Sequence, residues 1–440
     1  MKRISIIALA TVTMLPVGAQ KDWTLTECIE HAVAHNITVK ERENQVRKQE
    51  VQLSTARNQR IPDLNASAGQ NFSFGRGLTA DNTYANKSTS STSFSLGTSV
   101  PLFTGFRIPN TVKLNQLNLQ AATADLENAK NNIRVQVAQA YVQILYNMEI
   151  RDVAYRQVTI DSAQTERIRA LMNVGKASQA QLSQQEATLA QSRLTATQAE
   201  NNTQLALLTL SQLLELSSPE NFNIVRPATR QDLQTTVIAT PEEIYAEAVA
   251  VRPEVEVEKL RLQMADKNIS LAQADYYPQL SLSAGLGSNY YKTSGFPADA
   301  FSSQMKNNFN QYIGLSLNVP IFNRFQTRNS VRSARIDYQT QQLALDNTKK
   351  QLYKEVQQAY YNTVAAQQKL KSSETAQKSA AAAFKLTTAK YEQGKANITE
   401  FNEAKNTYLK TESDLTQARY EFLYQTTLLE FYRGKDFCSF

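Results

Sequence analysis

Histidine and cysteine are nearly missing: the 440 residues hold two of each. Zinc, haem and iron–sulfur centres, nucleophilic triads and disulfide scaffolds all draw on those side chains, so the scarcity argues against each of them. Glycine (13) and proline (11) are rare too, together about 5% of the chain against roughly 12% in average proteins. Turns are therefore few and elements long. No uncharged apolar run of 18 residues follows the N-terminus and mean hydropathy is −0.43, which excludes transmembrane helices. A strong charge of one sign is also lacking. The formal net charge of +7, diluted over the whole chain, implies no nucleic-acid partner.

What is present starts with an export signal. Lys2 and Arg3 precede an apolar stretch from Ile4 to Leu15, Pro16 breaks it, and Val17-Gly18-Ala19 supplies small residues for cleavage, so residues 1–19 read as a signal peptide. Beyond it the scarce breakers are unevenly placed. Residues 110–218 contain no proline and one glycine, Gly175; residues 321–440 contain no proline and two glycines, Gly394 and Gly434. Stretches so rich in Ala, Gln, Leu, Lys and Glu have the propensities of helix interiors, and each reads as two long helices meeting at its central glycine.

The two stretches are copies. Val100-Pro101-Leu102-Phe103 aligns with Val319-Pro320-Ile321-Phe322, and the same offset pairs Ala140-Tyr141 with Ala359-Tyr360 and Gly175-Lys176-Ala177 with Gly394-Lys395-Ala396. Each copy opens on a helix-start signal, Thr24-x-x-Glu27 and Thr240-Pro241-Glu242-Glu243. Between opening and hairpin lie residues of period two: Leu64, Ala66, Ala68, Phe72 and Phe74; Phe94, Leu96, Val100 and Leu102; Leu280, Leu282, Ala284 and Leu286; Ile313, Leu315, Leu317, Val319 and Ile321. That spacing predicts one-sided strands at about 62–75, 92–103, 278–290 and 310–322, with exposed loops over 76–91 and 291–309. The order per copy is helix, strand, strand, helix, helix. The boundaries are 20–218 for the first repeat, 219–239 for a linker, 240–434 for the second repeat and 435–440 for a tail.

Alternating strands joined by polar loops in an exported chain suit an outer-membrane barrel, although a soluble β-sandwich layer shows the same pattern. Four strands cannot close a barrel, since the smallest single-chain barrels use about eight; three chains would supply twelve. The helices carry a matching signal. Phe401, Tyr408, Leu415, Phe422 and Leu429 recur every seven residues, as do Leu182, Leu189, Ala196, Thr203 and Leu210. Such a spacing keeps one seam against a neighbour and imposes a supercoil, leaving either a hollow cylinder or a solid coiled-coil spacer open as the product.

At this point the chain resembles the TolC family of outer-membrane efflux and secretion proteins. The matching features are Leu25-Thr26-Glu27-Cys28-Ile29-Glu30-His31-Ala32 followed by Asn36, the strand starts at Pro62 and Pro278, the two Val-Pro-[Leu/Ile]-Phe exits, and the glycine turns at Gly175 and Gly394. The resemblance implies a mainly α fold with a membrane β-barrel portion: a homotrimer whose twelve-stranded barrel, set in outer-membrane lipid, stands on a long periplasmic α-helical barrel. It implies a passive exit duct, not an enzyme, without a cofactor, engaged by a periplasmic adaptor and an inner-membrane pump of the RND or ABC class. The adaptor-docking tips are then Gly175, Lys176 and Ser178 with Gly394, Lys395 and Asn397.

The resemblance also assigns a gate. Counted from Gly394, its acidic positions fall on Glu400 and Glu403, three apart on one helical face, so that three chains would stack two carboxylate rings. Ordinary solvated helix faces remain the alternative. Tyr391 matches the family's tip tyrosine, but Ala396 replaces the network arginine and Gln181 its aspartate partner, so that link cannot form, and Lys176 or Lys395 stand as substitutes. Opening is expected by outward movement of the hairpin ending at Gly394.

Cys28, His31 and His35 share a helical turn, with metal ligation weighed and not adopted. The family fold brings Cys28 and Cys438 into one belt, where a disulfide and two free thiols are both open. Arg324, Arg328, Arg332 and Arg335 line the upper tunnel or face periplasmic water, and the terminal Phe440 carries no weight. Two other function classes are a periplasmic coiled-coil adaptor without a lumen and a hydrolase built on Glu242 and Glu243. Adjacent helix residues diverge by about 100°, which counts against the second.

Overall fold

Each repeat begins where its capping threonine says it should. Thr24 Oγ1 accepts from the Glu27 amide at 3.3 Å while the Glu27 carboxylate accepts from the Thr24 amide at 2.9 Å; Thr240 and Glu243 repeat the exchange at 3.4 and 3.1 Å. Two orphan amides per helix are thereby satisfied. The computed structural model describes residues 22–78, 81–217, 222–226 and 238–437. The signal peptide, most of the linker, Cys438 and Phe440 lie outside them.

After a two-residue strand β1 (Asp22–Trp23) come α1 (Leu25–His35), α2 (Ile37–Asn58), β2 (Asn65–Leu78), β3 (Tyr84–Thr104), α3 (Arg107–Asn173) and α4 (Gln179–Leu213). The linker carries β4 (Asn223–Ile224), parallel to β1, and the second repeat has α5 (Pro241–Val251), α6 (Pro253–Gln273), β5 (Gln279–Thr293), α7 (Phe301–Asn307), β6 (Asn310–Asn318), α8 (Gln326–Glu392) and α9 (Ile398–Tyr432). The single opening helix expected per repeat is in fact two. Asn36 is extended and turns its side chain to the chain itself, donating to the Leu213 carbonyl at 3.1 Å and accepting from the Thr38 amide at 2.9 Å. In the second repeat Pro253 forces Arg252 out of the helical region.

The chain divides into two compact units. One comprises Arg42–Glu127 and Pro253–Lys350, the other the residues up to Glu41, Asn128–Arg252 and the residues from Gln351 onward. The first unit carries an antiparallel sheet in the order β2-β3-β5-β6. Its strands run further than the alternation of apolar residues: β3 starts at Tyr84 and β5 ends at Thr293, so most of 76–91 is strand and not loop, and α7 occupies part of 291–309. Hydroxyl and amide side chains pair across these polar stretches, Gln70 with Ser90 at 2.8 Å and Thr89 with Thr293 at 3.0 Å, and the ladder needs no apolar residue there. β6 stops at Asn318, short of the expected 322.

Register sorts the two sheet faces. Ala68 opposite Phe94, Leu96 opposite Leu286 and Leu282 opposite Leu315 fall on one face; Ser67 opposite Ser95 and Ser283 opposite Gly314 fall on the other. The apolar face is bare, with Phe74 and Ile313 about four-fifths exposed. β2 pairs only with β3, and β6 only with β5, so both outer edges are unpaired among the described residues. Below the sheet, Leu117 and Ala121 of α3 pack on Leu260 of α6, and Gln341 of α8 donates to Glu258 of α6 at 2.5 Å.

The second unit holds the turn-bearing parts of both helical hairpins, α3 from Asn128 and α8 from Gln351 onward with α4 and α9. α3 and α8 are each 67 residues long, about 100 Å at 1.5 Å per residue. Ala154 of α3 packs against Ala196 and Ala199 of α4, while Ala366 and Leu370 of α8 pack against Leu415, Ala418 and Phe422 of α9. Every member of the α4 heptad series Leu182, Leu189, Ala196, Thr203 and Leu210 is buried, and on α9 only Tyr408 is less than buried.

Candidate functional site

The hairpin turns are built alike. Gly175 and Gly394 adopt φ of +73° and +72°, a left-handed conformation that ends a helix without the steric penalty any Cβ would bring. Behind each glycine the next amide reaches back to the helix, Lys176 to the Leu171 carbonyl and Lys395 to the Lys390 carbonyl, both at 2.8 Å. Ser178 then caps α4 by accepting from the Gln181 amide at 3.2 Å, and Asn397 caps α9 by accepting from the Glu400 amide at 2.9 Å.

These caps place two of the expected gate residues. Gln181 completes the capping box, its Oε1 accepting from the Ser178 amide at 2.8 Å, and Glu400 Oε1 accepts from Asn397 Nδ2 at 3.1 Å. Glu400 and Glu403 are both exposed. Tyr391 is half-buried: its hydroxyl accepts from Gln164 Nε2 of α3, its ring stacks on Phe401 at 5.0 Å, and the Arg167 guanidinium lies 4.7 Å from its centroid. Thus the tip tyrosine ties the second hairpin to the first, as an aromatic ring with a polar handle can.

The expected substitutes for the missing arginine, Lys176 and Lys395, lie on the two turns. Among the described residues neither Lys176 nor Lys395 forms an ion pair within the chain, because both sit on the exposed turns. The hairpins are joined farther in, by Lys405 of α9 and Asp161 of α3, whose side chains are 1% and 0% exposed and pair directly. The other Asp161 oxygen accepts from Ser192 Oγ of α4 at 2.6 Å, and its backbone carbonyl accepts from Thr165 Oγ1 at 2.7 Å. One buried carboxylate therefore holds three helices. A more exposed pair, Arg156 to Glu412 at 2.9 Å, lies farther from the turns on the same two helices. Sequence reading missed Lys405 and Asp161; the one available signal was a lysine at a position of α9 between Phe401 and Leu409, where an apolar residue belongs.

Other readings are resolved by position. Cys28 is fully buried and its thiol is pushed up to about 12 by burial and then by the charge of Glu27, which disfavours the thiolate a metal would need. His31 and His35 stack at 4.1 Å. No group of three or more metal-ligating side chains gathers among the described residues. Arg324 lies outside the helix at φ +55°, so only Arg328, Arg332 and Arg335 share α8.

Two hairpins in tandem with a half-finished, bare-faced sheet match one known family throughout. Residues 28–215 and 244–434 fit the family model described as outer membrane efflux protein. The chain belongs to that family. The outer membrane efflux proteins are a family of transport proteins, which favours transport over the lumenless adaptor and the hydrolase. Among relatives, the fusaric acid resistance protein FusA of Burkholderia cepacia is 26% identical over 61% of this chain and 51% of its own length. The toxin and drug export protein A of Aggregatibacter actinomycetemcomitans is 23% identical over 76% of this chain and 71% of its own. The chain thus spans about half the length of the first relative and somewhat more of the second. Among solved structures, the outer membrane protein VceC of Vibrio cholerae superposes with a TM-score of 0.75 over 94% of this chain and 96% of that one, at 18% identity. As an outer membrane efflux protein the chain is located at the outer membrane, with a periplasmic extension.

Proposed function

We propose that the protein is the exit duct of a tripartite efflux or type I secretion system. Three chains close a twelve-stranded barrel through the free edges of β2 and β6. Their hairpins form a continuous tunnel, and substrates pass through it passively, driven by an inner-membrane pump of the RND or ABC class by way of a periplasmic adaptor. The observation that carries this reading is the sheet: an apolar face left bare and two edges left unpaired, which water tolerates poorly and which lipid and sister copies would satisfy. The helices support it. Each unit leaves large apolar side chains of a long helix exposed, Ile336 and Leu343 of α8 in one and Leu194 and Leu205 of α4 in the other.

The adaptor docks at the turns, on Gly175, Lys176 and Ser178 and on Gly394, Lys395 and Asn397. Glu400 and Glu403, without a cationic partner among the described residues of the chain, form the two carboxylate rings at the constriction, with Tyr391 and Gln181 bordering them. Such rings draw cations by the same charge logic as channel filters. Planar-bilayer recording tests both levels of the reading. The purified protein conducts, polyvalent cations block it, and Glu400→Ala with Glu403→Ala weakens that block at least tenfold. Absence of any conductance rejects the duct, and an unchanged block rejects the gate assignment.

A further inference from the structure

The buried pair of Lys405 and Asp161 sits at heptad positions, and that placement carries information the apolar contacts lack. On α3, Ala154, Asp161 and Ile168 lie seven apart and are all buried. On α9 the spacing that holds Lys405 runs Ile398, Lys405, Glu412. The apolar heptad contacts lie inside the hairpins: Ala154 packs on Ala196 and Ala199 of α4, and Leu415 and Phe422 of α9 pack on Ala366 and Leu370 of α8. Sliding one hairpin past the other by a heptad leaves those contacts intact, so they do not set the register between the hairpins. At Asp161 the slide is not tolerated. In one direction it brings Glu412 opposite the carboxylate, two like charges in a dry seam; in the other it brings Ile398, leaving that oxygen no cationic partner.

We propose that Lys405 is a positioning residue that fixes the axial register of the second hairpin against the first, so that every chain presents its Gly394 turn and its Glu400 and Glu403 carboxylates at one height. The physical basis is general. A single buried polar group in a repetitive apolar seam specifies register, whereas replacing a whole buried ion pair by apolar side chains is often neutral or stabilising. Ser192 strengthens the assignment, because its hydroxyl holds the carboxylate from the α4 side. The carboxylate therefore has a fixed address for Lys405 to find.

The test separates register from stability. In a chain carrying Cys28→Ser and Cys438→Ser, cysteines are placed at Arg156 and Glu412, which face each other in the observed register, or at Arg156 and Arg419, which face each other after a one-heptad slide. A short bifunctional maleimide is the probe, applied to protein in isolated outer membranes. With Lys405 and Asp161 intact, only the 156/412 pair cross-links. In the apolar variants Lys405→Met with Asp161→Leu, and Lys405→Leu with Asp161→Val, the 156/419 product rises at least tenfold, and unitary conductance spreads from one level to several. Exchanging the charges, Lys405→Asp with Asp161→Lys, restores the single register. Cross-linking confined to 156/412 in both apolar variants overturns the proposal. So does failure of both to assemble, since the pair would then be needed for stability itself. Only the equal height of the carboxylates rests on the duct reading. A protein that cross-links in one register yet carries no current sinks that reading and leaves this one standing.

Discussion

At His31 burial, and next the charge of His35, lower the imidazole below its ordinary value of 6.5, while a hydrogen bond to the Leu214 backbone works in the opposite sense. The unfolded chain therefore takes up the proton more readily than the folded one. Stability contributed by this site is fully present above the unfolded value of 6.5 and is lost as pH falls from there through the lowered folded value. His31→Gln should flatten the fall in melting temperature of the detergent-purified protein between about pH 7.5 and 5. An unaltered slope would place the sensitivity elsewhere. Individual residues were the least legible scale. The chemistry of Cys28 and His31 depends on what packs over them, and Lys405 and Asp161 lie 244 positions apart, on helices whose neighbourhood no local pattern encodes. Gln181 shows the same limit. Its alignment with a gate position is visible in sequence, but its capping bond to Ser178 becomes apparent only when the turn is seen.

Elements were legible where the pattern is local. Long helices followed from missing breakers, the turns from two glycines, and the α1 and α5 starts from their capping boxes. Asn36 was harder, because a helix break there depends on a carbonyl contributed by Leu213. The strand ends were harder still. Ser- and Thr-rich segments such as 84–93 have little apolar alternation, yet the ladder to β2 and β5 gives them their conformation. At the tips, capping is the term that holds the first turns of α4 and α9. Ser178→Ala and Asn397→Ala should each remove about 1 kcal/mol of local helix stability. Hydrogen exchange checks this directly: amides at 179–182 and 398–401 should exchange several-fold faster in the respective variants, with the rest of the hairpin unchanged. Equal rates would mean that packing of Phe401 and Leu182, not the caps, holds those turns.

The whole molecule is defined by what one chain leaves unfinished. Leaving a Leu, Ile or Phe side chain in water instead of an apolar surround forfeits about 2 kcal/mol, and the bare face carries several, among them Phe72, Phe74, Ile313, Leu315 and Leu317. The open edges of β2 and β6 add unpaired backbone groups, which a hydrocarbon layer cannot solvate. Lipid relieves the first deficit and only another chain relieves the second. Sequence reached this conclusion by counting strands, and the sheet order gives it a geometry, with β2 and β6 as the edges that must meet. Native mass spectrometry of the protein extracted from outer membranes measures the claim most directly. The account predicts one species of three chains that heat converts to single chains. A stable, folded single chain in that extract would contradict it.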